Sequence, residues 1–207
     1  DIACGNGQAS RPLRQHFAQV LACDASLEQL RAGEDCQAII RFVANAETQP
    51  LASASLDLIV VAQALHWFAS PQFFREVTRL LKPRGLFCAW CYSLMRIDTP
   101  LDSLIDELYW HTLGSYWPQG RSSVDAGYRD IANPFTPLNP PAFAIETDWR
   151  LDQLLGYLRT WSAVQRYEQS HGHDPVRQLE AKLQQAWGDA NRPRSVRWPL
   201  HFLAGTR

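Results

Sequence analysis

The sequence predicts an α/β architecture: a mostly parallel sheet sandwiched by helices, carrying a mainly helical cap insertion. Three observations lead there. Up to about Tyr92 short apolar runs alternate with amphipathic stretches, the pattern of parallel strands joined by crossover helices. From about Asp98 to Asn191 longer helix-like stretches follow one another, separated by proline-rich segments, with no strand after each. A strand-like run then returns at the end of the chain. A length of 207 residues suffices for a full core, as one domain with an insertion or as two small domains. Residues 1–97 and 192–207 are therefore assigned to the core, and 98–191 to a helical cap and substrate region.

Each element has its own warrant. The chain opens on DIACGNGQAS, a strand end running into a glycine-spaced loop, so most of the first strand is missing. A parallel sheet lacking most of its central strand would not be stable, and we expect the chain to be the ordered part of something longer. The runs QVLAC (19–23), IIRFV (39–43), LDLIVVA (56–62) and GLFCAWCY (85–92) read as strands. PLRQHF and SLEQLRA read as helices, the second capped by Ser26. SPQFFREVTRLLKP is the best-defined helix: Ser70 caps it, Pro71 fits its first turn, and Phe73, Phe74, Val77, Leu80 and Leu81 make one apolar face. Lys82 and Pro83 end it. In the cap, LDSLIDELYWHTLG, LDQLLGYLRTWSAVQRY and VRQLEAKLQQAWG read as helices. AFAIETDW (142–149) and SVRWPLHFLAGTR read as strands at a sheet edge, which Pro199 suits better than a central position.

Composition excludes several functions. Twenty basic and 21 acidic residues leave a net charge of −1, which offers no footprint for a nucleic-acid backbone or an anionic membrane. No apolar run approaches the roughly 18 residues that span a bilayer, and the opening residues do not resemble a signal peptide. A cytoplasmic protein, monomer or homodimer, acting on a small molecule is expected. Four of the five cysteines (Cys4, Cys23, Cys36, Cys88, Cys91) lie in or beside apolar runs, as buried thiols do, and no disulfide is expected. Cys88 and Cys91 have CxxC spacing but stand within a strand-like run without a second pair. The HGHD stretch (171–174) reads as a solvated turn, and no metal site is assigned.

The opening loop carries the chemistry. Gly5 and Gly7 flank Asn6 where a strand turns into a helix, and Asp24 ends the next strand about twenty residues on. Spaced glycines also serve turn geometry alone, and Asp24 alone could be a helix N-terminal acid. Their order and separation match a nucleoside site, backbone approaching the ligand and the acid accepting from ribose hydroxyls. A dinucleotide would want a third glycine where Ser10 stands. Asp1-Ile2-Ala3-Cys4-Gly5-Asn6-Gly7 instead resembles the first motif, DxGxGxG, of class I S-adenosylmethionine-dependent methyltransferases, a Rossmann-like fold. The resemblance extends through ANAETQPLASASLDLIVVAQALHWF and REVTRLLKPRGLF. QALHWF, GYLRTWSAVQRY, the aromatic-rich cap and the closing GTR resemble the small-molecule branch that includes trans-aconitate methyltransferases.

That resemblance implies cofactor-binding roles for Asp1, Ala3, Gly5 and Gly7 around the methionyl part, Asp24 at the ribose, Ala46 and Glu47 at the adenine, and main-chain groups of Gln63 and Ala64. S-adenosylhomocysteine would be the product. Ala3 replaces the first motif glycine, and Arg84 replaces a turn glycine, leaving Gly85 to supply special backbone angles. Methyl transfer needs few catalytic side chains, because the sulfonium carbon is already electrophilic and the enzyme chiefly aligns the reactants. A carboxylate acceptor needs no base; for a hydroxyl acceptor, His66 is the candidate. His66 is read either as a structural histidine, as a positioning group or as that base. Trp67, Trp117, Arg121, Tyr128 and Trp161 are assigned to the acceptor pocket, Arg121 as a two-pronged carboxylate contact. Two rivals remain: a nicotinamide-dependent oxidoreductase, and a catalytically silent methyltransferase-like binding module.

Overall fold

The computed structural model describes residues 1–34 and 38–207, so Cys36 lies outside the described residues. The strands are β1 (Val20–Asp24), β2 (Ile39–Val43), β3 (Leu56–Ala62), β4 (Leu81–Cys91), β5 (Thr136–Leu138), β6 (Ala144–Trp149), β7 (Arg194–Pro199) and β8 (His201–Thr206). The helices are α1 (Ser10–Leu13), α2 (Leu27–Arg31), α3 (Pro71–Leu80), α4 (Thr99–Asp106), α5 (Arg121–Asp125), α6 (Leu151–Arg159), α7 (Ser162–His171) and α8 (Pro175–Trp187). They fall into two compact units, one of residues 1–92, 122–142 and 200–207, the other of 93–121 and 143–199. The expected boundaries at 97/98 and 191/192 therefore shift: residues 122–142 join the first unit, and 192–199 join the second.

In the first unit β1 pairs with β2 and β3 with β4, both parallel. Ile2 joins the two ladders, pairing with Cys23 and donating its N–H to Val60 O at 2.9 Å. A cavity of about 510 Å³ lies beside β1 and β3, lined by Asp1 and Ile2 together with residues 17–21 and 55–60. β8 runs antiparallel between β4 and β5. The closing strand is thus interior to its sheet, and the short β5 is the edge. Gly205 makes this possible, because a Cβ there would stand 2.7 Å from Phe135 Cβ and 2.8 Å from Thr136 O. The sheets are mixed and separate, whereas a mostly parallel one was expected.

α3 follows its sequence warrant closely. Ser70 accepts from Phe73 N, Pro71 opens the first turn, and Phe73, Val77 and Leu80 are fully buried. At roughly 1.5–3 kcal/mol per fully buried side chain, this face holds the helix to the sheet. Leu81 begins β4. Arg84, at φ 65°, takes the left-handed conformation expected of Gly85. Gly85 is needed for space: a Cβ would meet Lys82 O at 2.9 Å. Cys88 and Cys91, three apart in β4, point to opposite faces of the sheet.

The second unit is helical with one antiparallel strand pair among the described residues. β6 and β7 pair antiparallel with each other, so the predicted strand at 142–149 belongs to this unit and not to the edge of the main sheet. The stretch LDQLLGYLRTWSAVQRY splits into α6 and α7, because Trp161 is extended at φ −63°, ψ 129°. The predicted helix after Asp98 changes winding at Glu107–Thr112, where a π turn is closed by Leu113 N to Leu108 O at 2.9 Å. Gly172 caps α7 in the left-handed conformation, which makes HGHD an exposed helix end. No helix among the described residues is long and apolar enough to cross a membrane.

A buried acid organises the crossover before β3. Glu76 accepts from Gln49 N at 2.8 Å and from Arg79 at 2.7 and 2.8 Å, while Arg79 also donates to the carbonyls of Leu51 and Gln49. The Arg79 hydrogen bond is the main cause that holds the Glu76 carboxyl below its ordinary 4.5. A depressed carboxyl stabilises the fold above its unfolded pKa, and that contribution disappears as pH falls through the folded value. Glu76→Gln should cost about 1–3 kcal/mol at pH 7 in urea unfolding. The gap between variant and parent should close as the titration is repeated below about pH 4.

Candidate active site

The expected cofactor residues meet at the C-terminal tips of the parallel strands. Ala3 (φ 55°), Gly5 (φ 55°) and Gly7 (φ 89°) all adopt left-handed backbone, which winds Asp1–Gly7 into a tight loop. Cys4 N donates to Cys23 O at 3.0 Å and Gly7 N to Cys4 O at 2.9 Å. The loop thereby sits on the end of β1. Asp24 fastens it: Oδ2 accepts from Gly5 N at 2.9 Å and Oδ1 from Ser26 N at 2.8 Å. The acid expected at the ribose thus already holds the glycine loop and the start of α2, half-buried between them.

Ser10, at the third glycine place of a dinucleotide loop, is buried and donates from Oγ to Asp1 Oδ2 at 2.6 Å. Asp1 Oδ1 is buried with no hydrogen-bond partner among the described residues. A desolvated carboxylate oxygen is costly unless something else satisfies it. Burial pushes the Cys4 thiol up to about 11, so it stays protonated at neutral pH. Gly33 backs the loop; a Cβ there would stand 2.6 Å from Asn6 O.

The other two segments flank this loop. Ala44 N donates to Asp24 O at 3.1 Å, which brings the stretch after β2 to the same strand tip. Ala46 packs on the core, and Glu47 accepts from Ser70 Oγ at 2.5 Å. Gln63 is left-handed (φ 56°), its N–H donates to Trp90 O, and its carboxamide exchanges two bonds with the backbone of Tyr92 at 2.8 and 2.9 Å. Ala64 precedes the turn Leu65–Trp67 and accepts from Trp67 N.

His66 and Trp67 follow, ring centroids 4.7 Å apart, with Trp67 61 % exposed. Tyr128 belongs to the first unit; its buried ring (2 % exposed) brings Oη to 3.4 Å from His66 Nδ1. Tyr128 is itself left-handed (φ 60°), held by its N–H to Ser123 O at 2.8 Å. The ring expected to line the acceptor pocket is thus packed into the core, with its hydroxyl beside His66.

Trp117, Arg121 and Trp161 lie together in the second unit around Tyr109, which the sequence did not single out for the site. Arg121 Nε donates to Tyr109 Oη at 2.6 Å, and its guanidinium lies 5.0 Å from the Trp117 ring centroid. Trp117 Nε1 donates to Tyr109 O, and Trp161 packs edge-on to Tyr109 at 5.5 Å. Here Arg121 stacks on aromatics, a different use from an open fork for a carboxylate. The π turn explains why Tyr109 escaped notice: it shifts the helical phase, burying Leu108 and Tyr109 in succession.

Residues 1–89 match a protein family described as Methyltransferase domain. The chain is 30 % identical to a candidate methyltransferase of Dictyostelium discoideum, over 90 % of this chain and 72 % of that protein. A malonyl-[acyl-carrier protein] O-methyltransferase of Hahella chejuensis is 34 % identical over 43 % of this chain and 34 % of its own length. Among solved structures, a candidate type II methyltransferase from Anaeromyxobacter dehalogenans superposes with a TM-score of 0.93 at 39 % identity, covering 100 % of this chain and 88 % of the other.

Two substitutions test the loop. Ala3→Gly should stabilise the protein by about 1 kcal/mol by removing a left-handed side chain, read as a rise in thermal midpoint. Asp24→Ala should weaken S-adenosylhomocysteine binding by about 1–3 kcal/mol in calorimetry, since it releases Gly5 as well as any ribose contact; unchanged affinity would overturn the assignment.

Proposed function

This chain belongs to the class I S-adenosylmethionine-dependent methyltransferases, and we propose that it methylates an oxygen of a small organic acceptor by direct displacement. The observation that carries this reading is the convergence of the Asp1–Gly7 loop, Asp24, the 44–47 stretch and Gln63–Ala64 at one end of the sheet. The residues fit the cofactor. The left-handed loop exposes backbone for close approach, Asp24 is placed to orient the ribose, and Glu47 stands at the neighbouring turn for the base. Asp1 Oδ1, buried and unpartnered among the described residues, offers the cationic end of the methionyl part a partner.

When bound, the cofactor supplies an electrophilic methyl group on its sulfonium. The chain's own work is to align the acceptor and exclude water. For a carboxylate acceptor nothing more is required. For a hydroxyl, His66, whose Nδ1 lies 3.4 Å from Tyr128 Oη, is the group proposed to take the acceptor's proton. The O-methyltransferase relative supports oxygen as the methylated atom. The narrower kinship with trans-aconitate methyltransferases rests on QALHWF and the aromatic second unit. Against a nicotinamide cofactor stands Ser10, whose hydroxyl is bound to Asp1 where a dinucleotide loop needs glycine.

Calorimetry separates the readings. S-adenosylmethionine and S-adenosylhomocysteine should bind and raise the melting temperature, and NAD should not. Labelled-methyl transfer should then appear with one class among small carboxylic acids, phenols and amines. Binding without transfer to any of them would favour the silent module, and no binding of either sulfur nucleoside would overturn the proposal.

A further inference from the structure

Beside His66 the first unit holds a cavity of about 720 Å³ that none of the cofactor residues lines. α3 forms one wall through Phe74 and Arg75, and residues 130–134 form the other through Asp130, Ile131 and Pro134. Phe74 and Ile131 pack against the core, so the floor is apolar and anchored. The size falls within the range of small-molecule sites, and a mostly apolar lining with a few polar groups is their usual character.

The polar groups at its rim indicate the ligand. Arg75 is exposed, and no ion pair or hydrogen bond engages its guanidinium among the described residues. On the facing wall Asp130 Oδ2 accepts from Ser123 Oγ at 2.5 Å, which draws that carboxylate into a local bond. At the end of the cavity stands His66, held beside Tyr128 Oη. An apolar trough with a guanidinium at one side and an imidazole at one end suits a ligand with a hydrocarbon body and a carboxylate.

We infer that this cavity is a ligand site of its own, apart from the cofactor residues, and binds small aryl or alkyl carboxylic acids, body against Phe74 and Ile131 and carboxylate at Arg75. The probe is 3-phenylpropanoate, with the neutral 3-phenylpropanamide as control, titrated into the whole chain by calorimetry with and without S-adenosylhomocysteine. The acid should bind, and Arg75→Gln should weaken it about tenfold while leaving the amide unchanged. Asp130→Asn should tighten the acid about two- to threefold by removing a facing negative charge. Ile131→Trp, which fills the trough, should abolish acid binding and leave S-adenosylhomocysteine affinity intact. Acid and amide weakening alike in Arg75→Gln, or acid binding that survives Ile131→Trp, would overturn the inference, as would absence of acid binding to the parent chain. Failure of S-adenosylhomocysteine alone to bind would instead sink the methyltransferase reading and leave the acid site standing.

Discussion

One carboxylate holds the site together. Asp24, at the tip of β1, uses both oxygens on main-chain donors, Gly5 N in the opening loop and Ser26 N at the start of α2. Hydrogen bonds to an ionised acceptor are roughly twice as strong as neutral ones, so one residue fixes two turns that otherwise have no common support. The same position at a strand tip leaves the carboxylate half-exposed where ligands lie in open α/β sheets. An acid placed there serves architecture, and on the proposed reading recognition as well, since orientation of a ribose requires that the loop beside it already be fixed.

A second acid plays the corresponding part on the other flank. Glu76 and Arg79 bind the backbone of residues 49–51 to α3, and Ser70 at the head of the same helix bonds Glu47. The crossover carrying Ala46 and Glu47 is therefore tied to a helix whose apolar face is fully buried. Rigidity passes from core to helix to loop. With the acid buried and the guanidinium partly exposed, the pair adds little net stability, but removing the partner of the buried acid is costly, and that asymmetry favours a single arrangement of the loop.

What the sequence disclosed follows the range of the interactions involved. α3 was legible from end to end because cap, first-turn proline and apolar face are all local. β3 matched its predicted bounds because a buried strand is an uninterrupted apolar run. The position of β8 between β4 and β5, and the pairing of β6 with β7, were not legible, because strand order depends on contacts between segments distant in sequence. Pro199 suggested an edge, and it does end β7; the error lay in reading residues 195–207 as one strand when the chain changes units at Leu200. The types and spacing of Gly5, Gly7 and Asp24 suggested one strand tip, and Gly5 and Asp24 are hydrogen-bonded there. Tyr109 went unassigned and the burial of the Tyr128 ring was not legible, because a π turn and a left-handed backbone re-aim side chains in ways no periodicity reports.

Backbone strain marks the same region. Among the described residues, the non-glycine positions with left-handed φ are Ala3, Ala54, Gln63, Arg84 and Tyr128. Ala54 sits in the turn leading into β3, and Arg84 in the irregular stretch of β4, where its register with β3 shifts between Leu81 and Leu86. The other three surround the proposed site, and each costs about 1–2 kcal/mol unless its surroundings enforce it. They are enforced by separate means: Ala3 by flanking bonds to β1 and β3, Gln63 by its paired carboxamide on Tyr92, Tyr128 by a buried ring and its bond to Ser123. Three independently held strained residues at one end of a sheet keep loop, strand tip and His66 in fixed register. Methyl transfer by alignment requires that rigidity, because a displacement reaction with few catalytic groups depends mainly on how little its reactants are free to move.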